Sequence, residues 1–221
     1  MLDAFASRRA FVTRMAALVG ASALFPASAV ASAELAERDR AHTRGDETEP
    51  WLASLTGKHK QIFHAHDNWT NGLEYAKRFK TAYAKEYGVD AAAVNSVLAA
   101  HGKTGASTYN DAAWEKYEIG RRFEVKDPKT DKPATRNIYL ESDVDVVGVR
   151  DALGAGVIVL SCRTALRGFA GWMAAETKYG TKEEIERDLT ASLVPGVVLV
   201  PAMIIAISRA QEHGCTYQFT G

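Results

Sequence analysis

The chain has 221 residues, with 27 Lys and Arg against 27 Asp and Glu, 47% hydrophobic side chains and two cysteines. Without a basic excess there is no electrostatic case for binding nucleic acid or an anionic membrane surface. Two cysteines and a length suited to one domain describe a chain that buries its own core without a disulfide framework.

Residues 1–33 read as an address and not as part of a fold. Ser7-Arg8-Arg9-Ala10-Phe11 resembles the twin-arginine export motif. An apolar run from Met15 to Phe25 follows it, and Ala31-Ser32-Ala33 offers a small-residue cleavage site. The run is too short to span a bilayer, which takes roughly 20 apolar residues. The expectation is a periplasmic protein, exported already folded and free of the membrane once the signal is cleaved. Residues 34–57 then form a polar leader that ends in a short packing turn around Trp51.

The domain proper is expected over 58–221. His59–Ala65 reads as the first strand, and its loop runs from His66 to Gly72. Leu73 to Tyr87 carries an apolar stripe at helical spacing and is closed by Gly88. Asp90 to Ala100 reads as the second strand, with helix ambiguity at Ala91-Ala92-Ala93, and ends at His101-Gly102. After a glycine- and serine-rich loop, Asn110 or Asp111 caps a helix from Ala112 to about Gly120. Residues 121–141, with Lys126-Asp-Pro-Lys-Thr-Asp-Lys-Pro133, are too long for an ordinary connector and read as an inserted arm, lid or loop. A helix from Asp143 to about Leu153 leads to the third strand, Val157 to Leu160. Thr164 to Ala175 is helical. Thr181-Lys-Glu-Glu184 is a capping box for a helix running to Leu193. Val197–Val200, a helix from Met203 to His213 and Cys215–Phe219 complete the pattern.

Strands alternating with helices of this length predict a three-layer α/β/α domain with a mostly parallel five-stranded sheet. Reactive groups in such sheets gather outside the carboxyl ends of the strands. His64, His66 and Asp67 end the first strand, His101 ends the second and Cys162 ends the third. Cys215 begins a strand and falls at the opposite edge. A five-residue strand spans roughly 17 Å, and a disulfide needs Cα atoms within about 7 Å, so no Cys162–Cys215 bond is expected.

Cys162 is the focus of Gly156-Val-Ile-Val-Leu-Ser-Cys162-Arg-Thr-Ala-Leu-Arg-Gly168. Backbone N–H groups at a helix start, with Arg163 and Arg167 close by, favour negative charge on its sulfur. The plainer reading is a small buried hydrophobe closing a strand. His101 or His66 would serve as a proton shuttle, and Arg163, Arg167 and His66 would hold an anionic sulfur compound such as thiosulfate. His66, His101 and Cys162 are also the ligand types of zinc or copper. No C-x-x-C or H-x-x-x-H pair occurs, however, so neither a metal set nor another cofactor is assigned. There is no G-x-S-x-G elbow, no matched carboxylate pair and no phosphate loop. Trp69, Trp114 and Trp172 read as core or interface aromatics.

Val159-Leu-Ser-Cys162-Arg-Thr-Ala-Leu-Arg-Gly168 resembles the strand–Cys–helix segment of the DsrE/DsrF-like family, small α/β proteins of sulfur-relay systems. Leu193–Pro201, Ile204–Gln211 and Gly214-Cys-Thr-Tyr217 resemble its closing strand, helix and strand. The resemblance runs from about Lys58 to the end, with 121–141 as an insertion. It implies a persulfide on Cys162, a small sulfur compound or sulfur-donor protein as partner, and a homo-oligomer of two, three or six chains. The alternatives are a non-enzymatic oligomeric binding module with an inert Cys162, and a periplasmic metal-binding protein using His66, His101 and Cys162.

Overall fold

The computed structural model describes residues 49–143 and 146–221. The expected signal peptide and residues 34–48 of the polar leader lie outside them. In chain order the elements are α1 (Pro50–Ala53), β1 (His59–Ala65), α2 (Asn71–Tyr87), β2 (Val94–Ala100), α3 (Asp111–Lys116), α4 (Ile119–Arg122), α5 (Val149–Gly154), β3 (Ile158–Cys162), α6 (Arg163–Ala174), α7 (Lys182–Ala191), β4 (Val198–Val200), α8 (Met203–Glu212) and β5 (Thr216–Phe219). The five strands form one sheet in the order β4-β3-β2-β1-β5, every neighbouring pair parallel. This is the expected α/β/α architecture, with an all-parallel sheet.

Helices cover both faces, so the strands are apolar on both sides, as a parallel sheet requires. On one face Ile62, Val97, Ala99, Leu160 and Val200 pack against Trp51 and Leu52 of α1 and Met203, Ala206 and Ala210 of α8. On the other, Phe63, Ala65, Leu98 and Val159 pack against Leu73 and Ala76 of α2 and Val149 and Ala152 of α5. A third cluster joins α3, α4, α6 and α7 around Trp114, Tyr117, Leu166, Met173, Ile185 and Leu189. Among the described residues, no helix is long and apolar enough to cross a membrane.

Several boundaries differ from the sequence reading for local reasons. The second strand begins at Val94, because Asp90 accepts the N–H of Ala92 and starts a 3₁₀ turn over Ala91–Ala93. The helix after Asn110 stops at Lys116. Glu118 takes a left-handed conformation at φ 50°, and a separate turn, α4, follows. No helix starts at Asp143, since Asp143 pairs with Val146 in a turn and α5 begins only at Val149. The third strand reaches through Ser161 to Cys162, and the fourth starts at Val198. The capping box is present: Thr181 accepts the N–H of Glu184, whose carboxylate accepts the N–H of Thr181.

Residues 121–141 are not a free arm. Val125, Ala134, Asn137 and Leu140 are buried. The Val125 N–H donates to the Gly120 carbonyl at 2.7 Å, and the Ala134 N–H donates to the Val125 carbonyl at 2.8 Å. Asn137 Nδ2 donates to the carbonyls of Ser107 (2.7 Å) and Tyr109 (2.6 Å), which ties the segment to the loop after β2. The Tyr139 ring stacks on Trp69 at 4.8 Å.

Candidate functional site at the carboxyl edge of the sheet

The register decides which side chains share an edge. Ala65 pairs with Ala100, and Ala100 with Ser161. Continued by one residue, His66, His101 and Cys162 therefore stand level, just past the carboxyl ends of β1 and β2 and on the last residue of β3. Cys215 precedes Thr216, which pairs with Gln61 near the start of β1, so it belongs to the opposite edge. Both cysteines are free thiols.

Cys162 closes β3 and is the N-cap of α6, a twelve-residue helix. Its sulfur accepts the N–H of Ala165 at 3.4 Å, so it satisfies one of the donors that a helix start leaves free. The residue is 4% exposed and opens on a cavity of about 30 Å³ lined by Tyr109, Phe123, Phe169, Ala106, Gly102 and Gly105. Phe123 comes from the inserted segment, and its ring lies 5.3 Å from that of Phe169 on α6. The loop that supplies Ala106 and Tyr109 is held at both ends. The Thr104 hydroxyl lies 2.6 Å from the Ala65 carbonyl, and Thr108 Oγ1 lies 3.1 Å from Ser161 Oγ, one residue before the cysteine.

The strand order places the second half of the site. β1 to β4 step across the sheet in one direction, and the chain then returns through α8 to place β5 on the far side of β1. Ligand crevices in open α/β sheets form where the order reverses. At that point His64 Nε2 lies 3.0 Å from His101 Nδ1, and His64 Nδ1 lies 2.9 Å from the Tyr217 hydroxyl. The two imidazoles stack at 5.2 Å. Phe219, more than half exposed, packs edge-on to His64 at 5.4 Å. His66 pairs with Asp67 at 3.1 Å, and its ring packs over Gly102. A Cβ on Gly102 would fall 2.7 Å from His66 Nε2, and its φ of +56° also favours glycine. Gly102 thus separates the histidines from the Cys162 cavity.

The two arginines point elsewhere. Arg167 Nε donates to Glu186 of α7 at 2.9 Å. Arg163 lines an outer groove of about 470 Å³ with Glu183, Glu186 and Arg187. No hydrogen bond among the described residues joins Cys162 to a histidine, and no three His, Cys, Asp or Glu side chains among them are placed to hold a metal ion. A larger cleft of about 520 Å³ runs along α2, away from the strand ends. Its charges are already paired, Lys77 with Asp151 at 2.6 Å and Arg78 with Glu74, so it carries less chemistry than the edge.

Tyr217, Tyr109, Phe123 and Phe169 were not among the sequence candidates, and His64, placed at the end of the first strand, had been given no role. The others reach the site through tertiary packing that no local spacing encodes.

Burial is the largest cause holding His64 below its ordinary value of 6.5, followed by the charges of His101 and His66. Burial and then His66 do the same to His101. The folded state therefore prefers both rings neutral, and the unfolded chain binds protons first as the pH falls. Their contribution to stability is complete above about pH 6.5 and is lost as the pH drops from there through the depressed folded values. The melting temperature of the wild type should fall between pH 7 and 5.5, and more steeply than that of His64→Gln. Equal slopes over that window would show that the pair carries no proton linkage.

Comparison with known protein families and with curated proteins returned no match.

Proposed function

We propose that this protein is a periplasmic sulfur carrier whose Cys162 accepts a single sulfane sulfur. The observation that carries the reading is the place of Cys162, at the junction of β3 and α6, with its sulfur held by the Ala165 N–H and facing a small cavity. In the step proposed, the Cys162 thiolate attacks the outer sulfur of a sulfane donor, thiosulfate or a persulfide. The new S–S bond forms as the donor's own S–S bond breaks. The bonding pair leaves with sulfite or with the donor thiolate, and Cys162 becomes a persulfide anion. No further oxidant or reductant is needed.

The hydrogen-bonded line from Tyr217 through His64 to His101 supports His101 as the group exchanging protons at this edge, since it leads from a half-exposed hydroxyl to a position level with the cysteine. Export rests on the Arg8-Arg9 leader. Self-association is supported by Ile204, Ile205 and Phe219, all more than half exposed, and by the outer edge of β5, which pairs with no other strand among the described residues.

Intact mass after treatment with thiosulfate or polysulfide tests the reading. The protein recovered from the periplasm should begin near Glu34, and its native mass should be a multiple of one chain. It should gain ~32 Da, one sulfur atom, in a form that a reductant removes, and Cys162→Ser should gain nothing. A wild type that takes up no sulfur, and whose Cys162 resists alkylation until the protein unfolds, would mark the cysteine as an inert core residue.

A further inference from the structure

Beside Cys162 stands a tyrosine whose ring is buried and whose hydroxyl bonds no described residue. Tyr109 is 4% exposed and lines the same cavity as the cysteine. Its backbone is fixed at both ends: the carbonyl accepts Asn137 Nδ2 at 2.6 Å, and the N–H donates to the Ala106 carbonyl at 3.3 Å. Its hydroxyl makes no hydrogen bond with any described residue. That oxygen is not sealed from solvent, so it is free to donate to an acceptor that enters the cavity. Burial first, and the nearby Cys162 second, push the phenol far above its ordinary range, so it keeps its proton and remains a donor.

The cavity also sets a size limit. It offers about 30 Å³, whereas one ordered water takes about 10–15 Å³. A single added sulfur atom fits there, and the rest of a thiosulfate or polysulfide donor stays outside the cavity. Phe123 and Phe169 make part of its wall apolar.

We propose that this is a one-sulfur pocket, in which the Tyr109 hydroxyl hydrogen-bonds the outer sulfur of a Cys162 persulfide while Phe123 and Phe169 bar a second sulfur. This deepens the carrier reading and rests on it. Sγ keeps the Ala165 N–H, and the outer sulfur, which bears the negative charge, takes the Tyr109 hydroxyl. Chain growth, in which that outer sulfur would attack another sulfane donor, release its thiolate and become a trisulfide, finds no room.

The test uses inorganic polysulfide in excess and intact mass. Wild type should stop at one added sulfur, ~32 Da, at any polysulfide concentration, and Cys162→Ser should gain none, which excludes Cys215 as the carrier. Tyr109→Phe keeps the ring and the fold, as its thermal midpoint will show. It should still load one sulfur but lose it to cyanide, read as thiocyanate released, about tenfold faster than wild type. Phe169→Ala should admit a second sulfur, ~64 Da in total. No uptake by wild type would overturn the carrier reading and this proposal with it. Two or more sulfurs on wild type Cys162, or a Tyr109→Phe persulfide as durable as that of wild type, would overturn the one-sulfur pocket and leave the carrier reading standing.

Discussion

Gly120→Ala should destabilise the domain by about 3 kcal/mol and open the Cys162 cavity at the same time. A Cβ on Gly120 would lie 2.1 Å from the Ala134 carbonyl oxygen and 2.6 Å from the Ala134 nitrogen. Both are backbone atoms that cannot swing aside as a side-chain tip does. Ala134 is also held there, because its N–H donates to Val125, whose own N–H donates to Gly120. Relief requires residues 123–134 to lift as a unit. Phe123 would then leave the cavity wall, and Arg122 would lose its seat. That guanidinium lies 5.1 Å from the centroids of both Trp172 and Tyr179, and 2.7 Å from Glu176. The melting temperature should drop by roughly 10 °C. Native-state alkylation of Cys162, located by peptide mapping to separate it from Cys215, should quicken at least tenfold, the factor that about 1.4 kcal/mol represents. A lowered melting temperature with unchanged alkylation would mean that the inserted segment braces the fold without shielding the cysteine.

The parts legible in the sequence are those set by local periodicity and by the rule that parallel strands gather their loops at one edge. β1 runs over the seven residues whose apolar content and flanks mark it. The capping box at Thr181 forms as its spacing requires, and the register sets His66, His101 and Cys162 level. The parts that stayed hidden depend on contacts distant in sequence. Arg163 and Arg167 follow the cysteine closely, yet a helix turns successive side chains by about 100°, and both face α7. Tyr109 sits beside the cysteine because Asn137, 28 residues on, holds its carbonyl. Tyr217 reaches His64 only because β5 crosses to the far edge of the sheet. The polar composition of 121–141 suggested a loose arm. Its few apolar residues, Phe123, Val125, Ala134 and Leu140, fall where the segment touches the domain, and they decide its place.

Trp114→Ala should cost about 4 kcal/mol, the largest loss expected from any single truncation in the cluster under the cavity. The side chain is fully buried, and its ring packs edge-on to Trp69 at 6.1 Å and tilted to Tyr139 at 6.3 Å. Removing it leaves a void bounded by α3, α6 and α7 that three separately anchored helices cannot close without moving. Its Nε1–H also donates to the Ala106 carbonyl at 2.9 Å, so the same residue positions the loop that lines the cavity. Trp114→Phe separates the two roles: it keeps most of the volume and leaves the Ala106 carbonyl without its donor, at a cost of about 1–2 kcal/mol. Denaturant unfolding reads both variants. If indole packing governs the cluster, the alanine variant falls well below the phenylalanine variant. If the hydrogen bond to Ala106 governs it, the two fall together, and the cavity loop is held chiefly by that single donor. If Cys162 carries sulfur as proposed, its uptake should track the position of Ala106 rather than global stability. A Trp114→Phe protein that is stable yet loads sulfur more slowly than wild type would place the indole N–H among the groups that shape the site.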